Sequence, residues 1–411
     1  MHTEPRPHRR EAFSLLGRGL AGLFFLGLVI AASAALVRHF PGGENLRFPW
    51  EALHGFIYKE ENPYRTLSFL YGRAAQDHIA VPPEIYPFHT ALVWFGLLGL
   101  TKTFTFARTL ALVGAILASL ATLGIAARMF AWRPGKALTL ALAVFVLTWH
   151  FAARAILAGN VAAPLTWLLL AIWASLRRER DTLAGGLLAL AFIRPGLMVG
   201  VIVFILLWAV SRRRWKVWGG FWGVTLVLMA LSLWLLPSWP LDAARLAFQT
   251  RGTAISPRSL LSQAFPGVGR QIGWLLVLSV GGLVGAEWAA AFGKPSHHAL
   301  WTASLTVWGG LLLGPRITPS DQVLLLVPLM LVWGYWLSRW KAYGRPAVWL
   351  TAGLLWLVPW LLVGRHWHPG TTTPTLTNAF LAPLMVLPLL YTVRWWASRA
   401  HVLPPEEEML S

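Results

Sequence analysis

Long apolar runs alternate with short polar turns along the chain, and two longer polar insertions break the rhythm. The apolar runs are Gly19–Val37, Phe88–Leu100, Phe104–Ala127, Ala137–Phe151, Ile156–Leu176, Thr182–Ile193, Leu197–Val210, Val217–Leu236, Ile272–Phe292, Ala299–Leu313, Val323–Leu337, Ala347–Val363 and Thr375–Val393. A helix crosses the hydrocarbon of a bilayer with roughly 20 apolar residues, and most of these runs approach that length. The pattern predicts an all-α polytopic membrane protein, a single integral membrane domain over residues 1–411, with about 12–13 transmembrane helices. The insertions are residues 38–87, which contain the amphipathic stretch Leu46–Tyr58, and residues 237–270. A loop as long as the first is uncommon without a function.

Charge orients the pattern. Basic clusters stand at Arg128/Arg133/Lys136, Arg177–Arg180, Arg212–Lys216, Arg339/Lys341/Arg345 and Arg394/Arg399. Cytoplasmic turns collect Lys and Arg, so these turns, the N-terminus (residues 1–18) and the tail (residues 397–411) are expected inside. The first insertion sets Arg38, Arg47, Lys59, Arg65 and Arg73 against Glu44, Glu51, Glu60, Glu61, Asp77 and Glu84. It is nearly neutral in a chain of net charge +19, which suits the extracytoplasmic side. Ala32-Ser33-Ala34 resembles a signal-peptide cleavage site, but the run before it is long enough to span, and an uncleaved first helix is expected.

One conflict remains in this scheme. An outer first insertion and an inner Arg128–Lys136 turn need an odd number of crossings between them, yet two apolar runs lie there. Either Phe88–Leu100 does not span fully, or Arg128–Lys136 breaks the charge rule. Thr182–Ile193 is also short, rising only ~18 Å as a helix. Arg194-Pro195 then breaks it and sets a guanidinium below the outer surface, where it needs protein, water or an anion.

Composition narrows the class. With 56% hydrophobic residues, 12% charged and mean hydropathy +0.58, the chain reads as membrane-integral. Of its 25 Trp, many stand at segment ends (Trp132, Trp149, Trp215, Trp218, Trp239, Trp340, Trp395, Trp396), as lipid-facing anchors of an aromatic belt do. The positive charge falls in short clusters between apolar runs rather than on one soluble face, which points to membrane lipids and away from nucleic acid. With Cys absent, no disulfide or thiolate metal site can form. No HExxH occurs, and His297-His298 fall on a predicted cytoplasmic turn, so no zinc site is expected.

The polar residues predicted outside form one set: Glu44, Asn45, Glu51 and Asp77; Arg154 and Asn160; Arg194; Arg245, Arg251, Arg258 and Arg270; Arg316, Asp321 and Gln322. Arginine grips phosphate at two points, and a carboxylate can take a proton from an attacking hydroxyl. Such a set at a membrane boundary suits an anionic lipid substrate. Each member also has a plain structural reading. Glu44 can cap the following helix, and Glu51 can be solvated. Arg154 can anchor at the interface, and Arg194 can pair with a carbonyl. Asn160 can satisfy a broken helix, and Asp321 can cap one.

Four stretches carry a resemblance. Asn45-Leu46-Arg47-Phe48 to Asn62-Pro63-Tyr64, with Pro82-Pro83, is the first, and Ala158-Gly159-Asn160 the second. Ala184-Gly185-Gly186 to Ile193-Arg194-Pro195-Gly196, with Arg212-Arg213-Arg214-Trp215, is the third. Thr318-Pro319 with Asp321-Gln322-Val323-Leu324-Leu325 is the fourth. In this order they resemble the motifs of glycosyltransferase family 87, the polyprenol-phosphate-mannose-dependent membrane enzymes of the GT-C superfamily. The resemblance implies a GT-C-like bundle whose long first outer loop carries amphipathic helices. It implies a polyprenyl-phosphate sugar donor, a glycan or glycolipid acceptor, and transfer of a hexose, mannose in the family, at the outer face of the inner or plasma membrane. It also implies a catalytic Asp where this chain has Asn45, which cannot act as a base.

On this reading Glu44 takes the acceptor proton, and Arg194, helped by Arg154, binds the leaving phosphate. Asn45, Asn160, Asp321 and Gln322 contact the sugar. No cofactor is required, and nothing calls for a divalent metal. Glu51 or Asp77 could replace Glu44 as base. The alternative is a non-catalytic protein that binds or transports a lipid-linked sugar with the same arginines.

Overall fold

A computed structural model describes residues 8–76, 85–132, 134–250, 255–340, 342–362 and 375–398. Asp77, Pro82-Pro83, Arg133, Arg251, Lys341, the Gly364–Pro374 turn and the acidic tail lie outside the described residues. Among those described, every regular element is helical, and the protein is an all-α polytopic membrane protein.

The first helix, α1 (His8–His39), is followed by α2 (Glu44–Lys59) and α3 (Pro63–Gln76), both within the first insertion. Next comes α4 (Phe88–Gly99), whose 12 residues rise only ~18 Å. Both of its ends are tied to the insertion. Tyr64 Oη donates to the Tyr86 carbonyl at 2.8 Å just before α4. At the other end Trp50 Nε1 donates to the Leu98 carbonyl at 3.0 Å, and Tyr58 Oη to the Leu100 carbonyl at 2.8 Å. Both ends of this short helix are thus fastened to the first insertion, and it is shorter than the helices long and apolar enough to cross a membrane.

Next is α5 (Phe104–Met129), long and apolar enough to cross a membrane, with its first turn capped by Thr103. At its far end the Arg177 guanidinium donates to the Met129 carbonyl, which sets the Arg128–Lys136 turn beside the Arg177–Arg180 turn. Helix α5 is followed by α6 (Lys136–Thr148) and α7 (His150–Ala158), bent by 54° at Trp149. Then follow α8 (Ala162–Arg177), α9 (Asp181–Leu190) prolonged by the 3-10 turn Ala191–Ile193, α10 (Pro195–Ser211) and α11 (Trp215–Leu235). The second insertion holds α12 (Trp239–Gln249) and α13 (Pro257–Ala264). The rest of the bundle is α14 (Gly269–Ala291), α15 (Ser296–Leu313), the 3-10 segment Pro319–Leu325 running into α16 (Leu326–Arg339), α17 (Gly344–Leu362), α18 (Leu376–Thr392) and α19 (Arg394–Ala397).

Among the described residues six helices are long and apolar enough to cross a membrane, or seven if the bent pair counts as one, against the roughly 12–13 that run length predicts. The stretch Pro319–Arg339 is buried almost throughout and forms the centre, whereas α1, α11, α14 and α17 turn most of their residues outward. Leu23, Leu226, Leu275 and Leu350 on those outer helices are exposed, as lipid-facing side chains are.

The basic turns gather on one face. Arg214 pairs with Asp181 and donates to the Leu176 carbonyl, while Arg212 donates to the Gly293 carbonyl and Arg394 pairs with Glu287. The aromatic belt is only partly as the sequence suggested. Trp215 and Trp395 are exposed, but Trp149 is fully buried at the α6–α7 bend, and Trp132 and Trp239 are buried as well. An indole beside a helix break fills the space that the break opens, which a belt rule based on position cannot anticipate.

Candidate active site at three helix breaks

Three interruptions of apolar helices meet on the face opposite the basic turns. The first follows α7, where Gly159 takes the left-handed conformation (φ +69°). A Cβ there would lie 2.8 Å from Leu46 Cβ, so the glycine admits α2. The next residue, Asn160, is buried. Its Oδ1 accepts from the Ala162 N–H at 2.8 Å and satisfies the start of α8. Its Nδ2 donates to Thr318 Oγ1 at 3.3 Å and to Asp321 Oδ1 at 3.4 Å.

The second break is Arg194, extended between the Ala191–Ile193 turn and α10, which opens with Pro195. Proline lacks the N–H that would continue the ladder, so the chain restarts there. Arg194 is buried, and its Nη2 donates to both carboxylate oxygens of Asp321 at 2.6 Å.

The third break is the 3-10 segment that Thr318 caps. Asp321 completes a capping box, accepting the Thr318 N–H at 2.7 Å. Asp321 and Gln322 are fully buried. Gln322 Nε2 donates to the Ala379 carbonyl at 3.1 Å, and its Oε1 has no partner among the described residues. Residues far apart in sequence thus converge because each break frees backbone groups that must be satisfied inside the bundle. The Arg194 and Asp321 charges cancel; breaking one side of such a pair is far costlier than the pair is worth.

A second group sits at the start of α2. Gly42 (φ +148°) and Gly43 (φ +83°) turn the chain into it. The Gly43 N–H donates to the Leu157 carbonyl of α7 at 2.9 Å. A Cβ on Gly42 would lie 2.6 Å from Arg108 Nη2, so only glycine lets the turn lie on that guanidinium. Glu44 is the first residue of α2 and does not cap it. Its carboxylate acts electrostatically on Arg108 and Arg154, both of which are buried. Arg108 Nη1 reaches the Val37 carbonyl only at 3.5 Å, and its Nε has no partner among the described residues. Asn45, the next residue, is buried too.

Both groups share the stretch from Leu157 to Asn160. Leu157 holds Gly43, Gly159 touches Leu46, and Asn160 reaches Asp321. This stretch thus links the start of α2 to the Arg194–Asp321 pair. Sequence reasoning missed Arg108. The available signal was an arginine one turn inside the long apolar run Phe104–Ala127, which is costly unless it has a task.

Other candidates lie elsewhere. Glu51 forms an exposed pair with Arg47 at 2.9 Å. Arg245 faces Asp242 at 3.6 Å, Arg258 stacks over Trp274 at 4.5 Å, and Arg270 is exposed. Arg316 donates to Thr250 Oγ1 at 2.9 Å. The Asn-Pro-Tyr stretch has a structural task. Asn62 Oδ1 accepts the Tyr64 N–H at 3.0 Å, and Asn62 Nδ2 donates to Asp242 Oδ2 at 2.8 Å, fastening α3 to α12. The Ser238 hydroxyl, 2.6 Å from Asp242, holds this carboxyl below the ordinary carboxylate range, aided by Asn62, Arg245 and Arg65. Among the described residues no group of His, Asp and Glu is placed to hold a metal.

Comparisons with protein-family models, with curated proteins and with solved structures gave no match.

Proposed function

We propose that the protein is a GT-C-like membrane transferase that moves a hexose from a polyprenyl-phosphate donor to an acceptor at the face opposite the basic turns. The observation that carries the proposal is that Glu44 lies within electrostatic reach of two buried guanidinium groups, Arg108 and Arg154. Buried arginines at the entry to α2 suit an anionic group such as phosphate, which a guanidinium grips at two points. Bond cleavage from the carrier places new charge on the phosphate, and groups fixed where charge develops contribute most to the rate.

Arg154 and Arg108 take the phosphate in this scheme, and Glu44 takes the proton of the acceptor hydroxyl. Arg194 is occupied by Asp321, so that pair orients Asn160 and the sugar instead of supplying net charge. Asn45 and Gln322 offer buried amides for sugar hydroxyls. The test is release of polyprenyl phosphate from radiolabelled polyprenyl-phosphate mannose, with the sugar transferred to an added glycan or glycolipid acceptor, by the full chain in liposomes. Glu44→Gln should stop release while donor binding persists, and Arg154→Gln should lower release by about 10²-fold or more. Unchanged release in Glu44→Gln would exclude the proposed base.

One observation favours a second reading. Broken helices that meet at a buried polar centre are also how transporters build a substrate site. That reading expects movement of the lipid-linked sugar between leaflets in the same liposomes, without release, and insensitive to Glu44→Gln.

A further inference from the structure

A second polar cluster lies on the basic face, far from the site above in the bundle. His298, in the first turn of α15, is buried, yet neither ring nitrogen has a hydrogen-bond partner among the described residues. The Tyr391 hydroxyl, near the end of α18, is equally unpartnered. Burying such groups without partners is costly, so something polar completes them. The two residues share their surroundings. His298 lies within electrostatic reach of Glu287, Arg394 and Lys294, and Tyr391 within reach of Glu287 and Arg394. The ring of Trp301 packs edge-on to Tyr391 at 5.4 Å and lies under the Arg394 guanidinium at 5.7 Å. Its Nε1 donates to the Leu390 carbonyl at 2.9 Å, which fixes α15 against α18.

The charge here is one-sided. Glu287 is the only carboxylate in the set, and both oxygens are held by Arg394, at 2.8 and 3.2 Å. Lys294 is exposed, and Arg212 is anchored next to it on the Gly293 carbonyl. The remaining charge is positive. Beside it the outward flank of the cluster carries the exposed rings Phe292 and Trp395.

We infer that the junction of α14, α15, α18 and α19 binds the phosphate of an anionic phospholipid from the leaflet on the basic face, with His298 and Tyr391 as its hydrogen-bonding residues. A neutral imidazole offers one donor and one acceptor, and the tyrosine hydroxyl offers both. A phosphodiester carrying a free hydroxyl, as in phosphatidylglycerol, matches that set. A basic helix junction suits such a head group, and the flanking rings suit its acyl chains.

The test uses the full chain, purified in mild detergent, stripped of lipid and titrated with phosphatidylglycerol or phosphatidylethanolamine, the bound lipid being counted by native mass spectrometry. Phosphatidylglycerol should bind about tenfold tighter than phosphatidylethanolamine, and His298→Leu should remove about that factor. Tyr391→Phe, which deletes one oxygen, should weaken binding by a smaller factor at an unchanged melting temperature, and it decides the matter alone if His298→Leu does not fold. Inorganic phosphate should not displace the lipid. Equal retention in wild type and Tyr391→Phe, no preference between the lipids, or displacement by inorganic phosphate would each overturn the inference.

Discussion

At the scale of single residues, Asp321 carries the greatest structural weight. It closes a capping box, accepts both hydrogen bonds from Arg194 Nη2, and lies beside Asn160. Asp321→Asn would leave the Arg194 charge buried without its counter-ion. We expect a loss of roughly 3–5 kcal/mol, read as a large drop in melting temperature in detergent, and partial recovery in the double variant Asp321→Leu/Arg194→Met. Asp242 gives a prediction in pH. Its folded pKa lies below the unfolded one, so its contribution is complete above the unfolded value near ~3.9 and fades as pH falls through the lower folded value. The melting-temperature gap between wild type and Asp242→Asn should therefore be widest near neutrality and close below about pH 4. A gap constant across that range would show that the clasp with Asn62 and Ser238 does not depend on the charge.

At the scale of elements, the crossing of α9 and α11 rests on backbone contact. A Cβ on Gly185 would sit 2.1 Å from the Val217 carbonyl oxygen, and one on Gly220 would sit 2.2 Å from that of Thr182. In lipid there is little hydrophobic drive between helices, so close packing of small residues substitutes for it. Gly220→Ala should force the helices apart and cost about 1–3 kcal/mol, seen as a lower melting temperature, while Gly219→Ala, which points into open space, should not. The pair Ala184-Gly185 was legible as a motif. Its packing role was not, because the contact is with a helix some thirty residues on and leaves no local periodicity.

At the scale of the whole molecule, the fastening of both ends of α4 to the first insertion predicts that α4 does not cross. The absence of cysteine makes this easy to test. Single cysteines at Glu60, Lys102 and Glu179, all exposed positions, can be labelled with an impermeant maleimide in sealed vesicles. Positions 60 and 102 should label from one side and position 179 from the other. Labelling of 102 together with 179 would mean that α4 crosses, and the arrangement around Glu44 would fall with it.

Helix periodicity, hydrophobic run length and the positions of arginine clusters are local, additive properties, so the sequence by itself determined the class and the place of most helices, but not the bend at Trp149 or how many helices are long enough to cross. It also marked Asn160, Arg194 and Asp321 as unusual, since a polar residue next to a helix break in an apolar chain needs a reason. Only the tertiary structure decided that Arg194 pairs with Asp321, that Glu44 comes within electrostatic reach of Arg108 and Arg154, and that both ends of α4 are fastened to the first insertion. Those facts depend on which helix ends meet, and each is fixed by unsatisfied backbone groups and buried charges finding partners across more than forty residues of intervening chain.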